Sequence, residues 1–242
     1  SDLGEDATYK KRNTIENTSI IMYTSGSTGK PKGVKHKQLQ VINRLNYMWE
    51  VYPFNKSDVV SQRTMVNYMP SMWEFLGGLL RGRKTVIISD EIVKDPYKLA
   101  QVVQECKVTY LTIVPSLFRM LSNLGDTFKL AFKEVKVWIC CGEPMTADFY
   151  KDFRKNFSEA LLINDYGATE VNGMLYFDSS FPKKNSYDLP GMISVPNVEV
   201  YILDDEKKLL PHGFPGTIYI GGISVSTGYL NDQQLNKEKF VQ

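Results

Sequence analysis

Along the first two thirds of the chain, short runs of apolar and β-branched residues alternate with stretches in which apolar residues return every three or four positions. The short runs predict strands over residues 18–23, 59–62, 85–88, 108–114, 135–140 and 160–164. The longer pattern predicts amphipathic helices over 37–51, 72–80, 96–105, 116–124 and 147–156. Such alternation implies parallel strands, because a helix carries the chain back across the sheet, and it implies helices on both faces. After about Leu175 the texture changes: Pro182, Pro190, Pro196, Pro211 and Pro215 punctuate short β runs at 199–203 and 217–220. The expected fold class is α/β, a parallel sheet flanked by helices with a β-rich antiparallel subdomain at the C-terminal end. The expected division is residues 1–175 for the α/β part and 176–242 for the β-rich part.

Composition narrows the class without naming a ligand. Across 242 residues, 43% are hydrophobic and 23% charged, the balance of a globular chain rather than a disordered or collagenous one. Lys+Arg 29 against Asp+Glu 27 gives a net charge of +2, too even to argue for a nucleic-acid or membrane-surface partner. No apolar run reaches the 18 or so residues of a membrane span, and the polar stretch from Ser1 to Asn17 is neither a signal nor a transit peptide. Cys106, Cys140 and Cys141 cannot build a disulfide framework or a zinc knuckle, so reduced thiols in a cytoplasmic protein are expected. The abrupt close on Glu238, Lys239, Phe240, Val241 and Gln242 suggests a piece of something larger.

Chemistry concentrates after the first apolar strand, in Tyr23, Thr24, Ser25, Gly26, Ser27, Thr28, Gly29, Lys30, Pro31, Lys32, Gly33 and Val34. Small residues let backbone N–H groups converge, and the hydroxyls and lysines add donors and positive charge, as a polyphosphate needs. The P-loop of nucleotide triphosphatases does not fit: it would require Gly where Thr24 stands and a hydroxyl where Pro31 stands. Pro31 and Gly33 also argue against a helix starting at once.

This segment closely resembles the Ser/Thr/Gly-rich phosphate loop of the adenylate-forming superfamily, which contains acyl-CoA synthetases, luciferases and adenylation domains of nonribosomal peptide synthetases. Three further blocks match. Asn164, Asp165, Tyr166, Gly167, Ala168, Thr169 and Glu170 resemble Asn-x-Tyr-Gly-x-Thr-Glu, and Gly216 to Gly222 with Thr227 to Asn231 resemble the Gly-Glu-Leu…Gly-Gly…Arg-Gly-Tyr block. Met72, Trp73, Glu74 and Phe75 resemble the Val-Trp-Glu-Phe helix typical of peptide-synthetase adenylation domains. The resemblance covers nearly the whole chain from Thr18 onward.

The resemblance implies that a carboxylate and ATP give an acyl adenylate and pyrophosphate, by positioning and charge neutralisation rather than an enzyme nucleophile. Thr24, Ser25, Ser27, Thr28 and Lys30, on a loop opened by Gly26 and Gly29, would hold the outer phosphates. Glu170 would hold Mg²⁺ and Thr169 would touch the α-phosphate; with Lys30 they form the implied catalytic set. Tyr166 would face adenine, Asn164 its edge, and Gly142, Glu143 and Pro144 would form a backbone wall, with Asp165 and Gly167 in the same nucleotide-side set. The implied acid pocket is Tyr68, Met69, Pro70, Trp73, Thr112, Ile139, Cys141, Asp165, Gly173 and Met174.

Met69 stands where domains for α-amino acids keep an Asp for the ammonium, and a thioether cannot balance a buried ammonium. The implied substrate is therefore an α-keto, α-hydroxy, aryl or aliphatic acid; the alternative is an amine further along the substrate, as in a β-amino acid, received by Asp165. The implied partners are a small carboxylic acid and a carrier-protein phosphopantetheine thiol. A stand-alone acyl- or aryl-CoA ligase and a non-catalytic nucleotide-binding module are the rival expectations. Family members continue with a Tyr-x-Thr-Gly-Asp block, a hinge and a mobile subdomain bearing a catalytic Lys, so this piece is expected to be a poor catalyst alone. His36 and His212 are expected at the surface or in turns, and Cys140 and Cys141 in the packing of a strand.

Overall fold

The computed structural model describes residues 14–24, 30–180, 189 and 191–241. The chain opens with a hairpin, β1 (Thr18–Thr24) antiparallel to β2 (Lys32–Lys37), with Thr24 opposite Lys32. β1 is largely exposed and does not join the parallel sheet, which corrects the expectation that the strand over 18–23 pairs in parallel with the others. The sequence hides β2 because Lys32, Lys35 and Lys37 break up Gly33, Val34 and His36, so the strand lacks the apolar run by which strands are recognised.

Helix α1 (Gln38–Val51) leads into β3 (Val59–Gln62), α2 (Met69–Leu79), β4 (Lys84–Ile87), α3 (Asp90–Val93) and α4 (Pro96–Glu105). Next come β5 (Tyr110–Ile113), α5 (Pro115–Ser122), α6 (Asp126–Ala131), β6 (Val137–Cys141), α7 (Ala147–Asn156) and β7 (Leu161–Ala168). β8 (Val171–Asp178), β9 (Ile193–Ser194), β10 (Val198–Leu203), β11 (Thr217–Gly222) and α8 (Gln233–Lys239) follow. α2 begins three residues before the expected start because Pro70 suits a first helical turn, where no N–H is needed. Asp95 and Thr146 accept backbone N–H bonds at the starts of α4 and α7, which fixes those ends where the sequence placed them.

Seven strands form the central sheet in the order β4-β3-β5-β6-β7-β8-β9. The first five are parallel; β8 turns back antiparallel on β7, and β9 on β8. The expected division between residues 175 and 176 falls inside β8. β10 and β11 form a separate antiparallel pair.

Alternate residues of one strand enter different cores, as the two-residue period requires. Leu111, Ile113, Trp138 and Cys140 pack with α4, α5, α6 and α7 around Phe118, Phe128 and Phe153. Tyr110, Val137, Ile139 and Ile163 pack on the other face with α1 and α2 through Leu45, Met48, Met72 and Trp73. Strand order reverses where β3 is flanked by β4 on one side and β5 on the other. In open α/β sheets the crevice beyond the carboxyl ends of the strands at such a reversal is where ligands bind. No helix among the described residues is long and apolar enough to cross a membrane.

Candidate active site

Three cavities open at the carboxyl ends of β3, β5, β6 and β7, and all three touch Gly142, the residue just after β6. Its φ of +81° is a left-handed conformation that glycine adopts without strain. The first cavity, about 410 Å³, is lined by Arg63, Thr64, Tyr68, Thr112, Val114 and Glu143 among others. The second, about 200 Å³, is lined by Tyr68, Met69, Pro70, Trp73, Cys141, Asp165, Thr169 and Gly173 among others. The third, about 400 Å³, is lined by Gly142, Glu143, Pro144, Asn164, Asp165, Tyr166 and Gly167, with Met145, Phe177, Leu189 and Met192.

The structure thus brings most of the expected acid-side residues around the second cavity and the expected adenine-side residues around the third, with Asp165 and Gly142 on both. Thr112 faces the first cavity instead. Ile139 lies behind Trp73 against a void of about 10 Å³, and Met174 is buried outside the three cavities. Ser25, Gly26, Ser27, Thr28 and Gly29 lie outside the described residues; Thr24 closes β1 and Lys30 is exposed. The β1–β2 hairpin fixes where that loop leaves and re-enters the fold.

Several side chains near the site carry roles that the sequence did not disclose. Glu74, within the Trp-Glu-Phe block, is buried and accepts from Thr64 N at 2.9 Å, Thr64 Oγ1 at 2.9 Å and Arg63 N at 3.1 Å. It pins the turn after β3, while Arg63 Nε donates to Thr112 O at 2.6 Å. Burial pushes the Glu74 carboxyl above its usual range despite these donors and the nearby Arg63 charge. Glu143 accepts from Ser116 N at 2.9 Å and Ser116 Oγ at 2.6 Å. Its side chain is therefore spent on the start of α5, leaving the 142–144 backbone as the wall.

Thr169 and Glu170 occupy the turn between β7 and β8, stitched from two sides. His36 is fully buried on β2, and its Nε2 donates to Thr169 O at 2.8 Å, which corrects the expectation of a surface or turn histidine. Burial lowers its pKa from 6.5, and the Thr169 bond only partly opposes this, so the imidazole is held neutral. His212 is exposed, as expected. Tyr229 Oη donates to Glu170 Oε1 at 2.7 Å, and Ser226 N donates to Glu170 O at 2.8 Å. Glu170 Oε2 has no partner among the described residues.

No group of three or more His, Cys, Asp or Glu gathers among the described residues. A lone carboxylate with one free oxygen suits a magnesium ion that takes its remaining ligands from phosphates and water; such an ion would screen phosphate charge at Glu170. Cys140 is fully buried and Cys141 nearly so; burial pushes the Cys141 thiol up to about 12. Both stay protonated at neutral pH and serve as packing groups, Cys141 also as a cavity wall.

Arg44, near the middle of α1, reaches the carboxyl end of β7 and pairs with both oxygens of Asp165: Nη1 donates to Oδ1 at 3.2 Å, and Nη2 to Oδ2. The sequence does contain a signal for it. Val41, Arg44, Leu45 and Met48 fall on one helical stripe, so Arg44 stands on an apolar face where an unpaired charge would not survive.

A family described as AMP-binding enzyme matches residues 2–230. The chain is 32% identical over 239 residues to the Beta-alanyl-bioamine nonribosomal peptide synthetase ebony of Drosophila melanogaster, covering 94% of this chain and 27% of that protein. It is 33% identical to Vanchrobactin synthetase VabF of Vibrio anguillarum, over 94% of this chain and 8% of the relative, and 33% identical to Zwittermicin A synthase ZmaJ of Bacillus cereus, over 92% and 43%. The chain therefore spans less than half the length of these relatives. Among solved structures, the AMPPNP-bound nonribosomal peptide synthetase FmoA3 superposes with a TM-score of 0.82 at 20% identity, over 94% of this chain and 24% of that one. The Klebsiella oxytoca NpsA N-terminal subdomain with 3-hydroxybenzoyl-AMSN gives 0.78 at 22%, over 95% and 57%. At such identities these two likenesses speak to the fold, which they share. With its Ser/Thr/Gly-rich segment, its 164–170 block and a family match over nearly its whole length, the chain belongs to the AMP-binding enzymes of the adenylate-forming superfamily.

Proposed function

We propose that this chain is the ATP- and acid-binding part of an adenylation domain in a peptide or depsipeptide synthetase. In the proposed reaction a substrate carboxylate oxygen bonds to the α-phosphorus of ATP. The bond from that phosphorus to the bridging oxygen breaks, and its electrons leave with pyrophosphate. Lys30, Thr24 and the hydroxyls of Ser25, Ser27 and Thr28 hold the outer phosphates, Thr169 contacts the α-phosphate, and Glu170 binds Mg²⁺. Asn164 and Tyr166 receive adenine against the Gly142, Glu143 and Pro144 wall. The acyl group then passes to the phosphopantetheine thiol of a carrier domain, in the cytoplasm.

The observation that carries this reading is the meeting of two cavities at Gly142 and Asp165, with Thr169 on the wall of one and Asn164 and Tyr166 on the wall of the other. That is where an acid and a nucleotide must meet for in-line attack. The relatives' names, nonribosomal peptide synthetases among them, support a carrier thiol over free coenzyme A as acceptor. Met69 and its apolar neighbours favour an acid without an α-amino group. A second reading, a β-amino acid held by Asp165, draws on Asp165 lining the cavity and on the name of ebony.

Acid-dependent ATP–pyrophosphate exchange tests the proposal, using a panel of matched amino, keto, hydroxy and aryl acids. Robust exchange by the full-length protein and little by this 242-residue chain alone is the expected outcome. A preference for an ordinary α-amino acid would contradict the role given to Met69.

A further inference from the structure

We propose that Arg44 decides which acids the second cavity accepts, by keeping the Asp165 carboxylate closed to substrate amines. This rests on reading that cavity as the acid site of an adenylating enzyme. Among the described residues lining the cavity, Asp165 is the only charged one, so selection by charge among them falls to it. Yet both of its oxygens are engaged by the fully buried Arg44 guanidinium. That guanidinium lies over the Trp73 ring, 3.9 Å from its centroid, and 4.9 Å from that of Tyr47,. Gly173 makes room for it: at φ +86° it carries no side chain, and a Cβ there would come within 2.8 Å of Nη1.

The guanidinium therefore sits directly behind two lining residues, Asp165 and Gly173, and the cavity presents a neutral pair rather than an anion. Among the described residues, Arg44 Nε, Trp73 Nε1, Tyr47 Oη and Tyr52 Oη have no hydrogen-bond partner, so no neighbouring polar group draws Arg44 away from Asp165. Burial disfavours the charge on Arg44, and the Asp165 carboxylate together with Tyr52 and Tyr47 more than restores it. An ammonium entering the cavity would place a second cation on the same anion in a desolvated space, whereas an uncharged side group meets no such cost. With Asp165 removed, the same guanidinium would face the cavity unpaired and favour a second carboxylate on the substrate.

The test is pyrophosphate exchange by the full-length protein with acids of one chain length bearing a methyl, amino or carboxylate group at the far end. The wild type should prefer the methyl acid. Arg44→Met should raise relative kcat/KM for the amino acid by about tenfold or more, chiefly through KM, as one contact to a charged group would. Asp165→Ala should do the same for the dicarboxylic acid. Arg44→Met with Asp165→Leu leaves no unpaired charge, so it should keep the methyl preference with neither gain. If Arg44→Met does not fold, Asp165→Ala reads the same pair from its other side. A wild type that prefers the amino acid, or single variants that exchange without a shift in preference, overturns this inference alone. A wild type that exchanges with no acid overturns the adenylation reading with it.

Discussion

On the side of Gly142 proposed for the acid, Arg44, Asp165 and Glu74 are buried and matched by partners within the fold. On the side proposed for the nucleotide, Lys30 is exposed, Tyr166 is 48% exposed, and Glu170 keeps one oxygen free among the described residues. The difference follows from what each side meets. A cavity that excludes water must settle its charges internally, because an unpaired charge there costs several kcal/mol. A phosphate site keeps its charges exposed because the ligand supplies the compensation. On the proposed reading, the acid side would therefore select by what it refuses, and the phosphate side would bind by what it lacks.

Breaking the buried pair should have the largest effect. Arg44→Met leaves Asp165 uncompensated and is expected to cost about 3–5 kcal/mol in urea unfolding, whereas Arg44→Met with Asp165→Leu should recover most of it. Equal losses in both would mean that packing rather than charge pairing dominates. On the phosphate side the balance inverts. Glu170→Gln should cut pyrophosphate exchange by about 10²–10³ while shifting unfolding by no more than about 0.5 kcal/mol, measured on the same preparations.

Tyr229→Phe sharpens the contrast at lower amplitude. It removes the Oη donor 2.7 Å from Glu170 Oε1 and should slow exchange by about tenfold, the worth of one hydrogen bond to a charged group. The smallest effect is electrostatic. The folded protein holds His36 neutral, with its pKa below 6.5, whereas the unfolded chain takes up a proton near that value. The stability contributed by the neutral imidazole is present above pH 6.5 and declines as pH falls through it. Unfolding midpoints of wild type and His36→Asn between about pH 8 and pH 5.5 should diverge at the upper end and converge at the lower. Parallel curves would remove His36 from the account.

Much of the α/β frame was legible because its signals are local. Val59–Gln62, Pro96–Glu105 and Ala147–Asn156 lie where periodicity and end signals placed them, since a cap such as Thr146 acts within a single turn. Lys32–Lys37 was not legible as a strand, because its buried residues interleave with lysines and its partner lies across the phosphate loop. The 164–170 block pointed to a site through its resemblance to a family motif, but its supports come from distant parts of the chain: His36 from β2, Tyr229 from beyond β11 and Arg44 from α1.

The sequence by itself determined the fold class, because strand and helix periods are properties of neighbouring residues, and it carried the family through the resemblance of its motifs and their order. Only the tertiary structure decided that Asp165 is paired, that Glu143 serves α5 and that the three cavities converge on Gly142. Those facts depend on residues up to 121 positions apart, and the cost of burying charge and the geometry of close packing act through space, with no regard for separation along the chain.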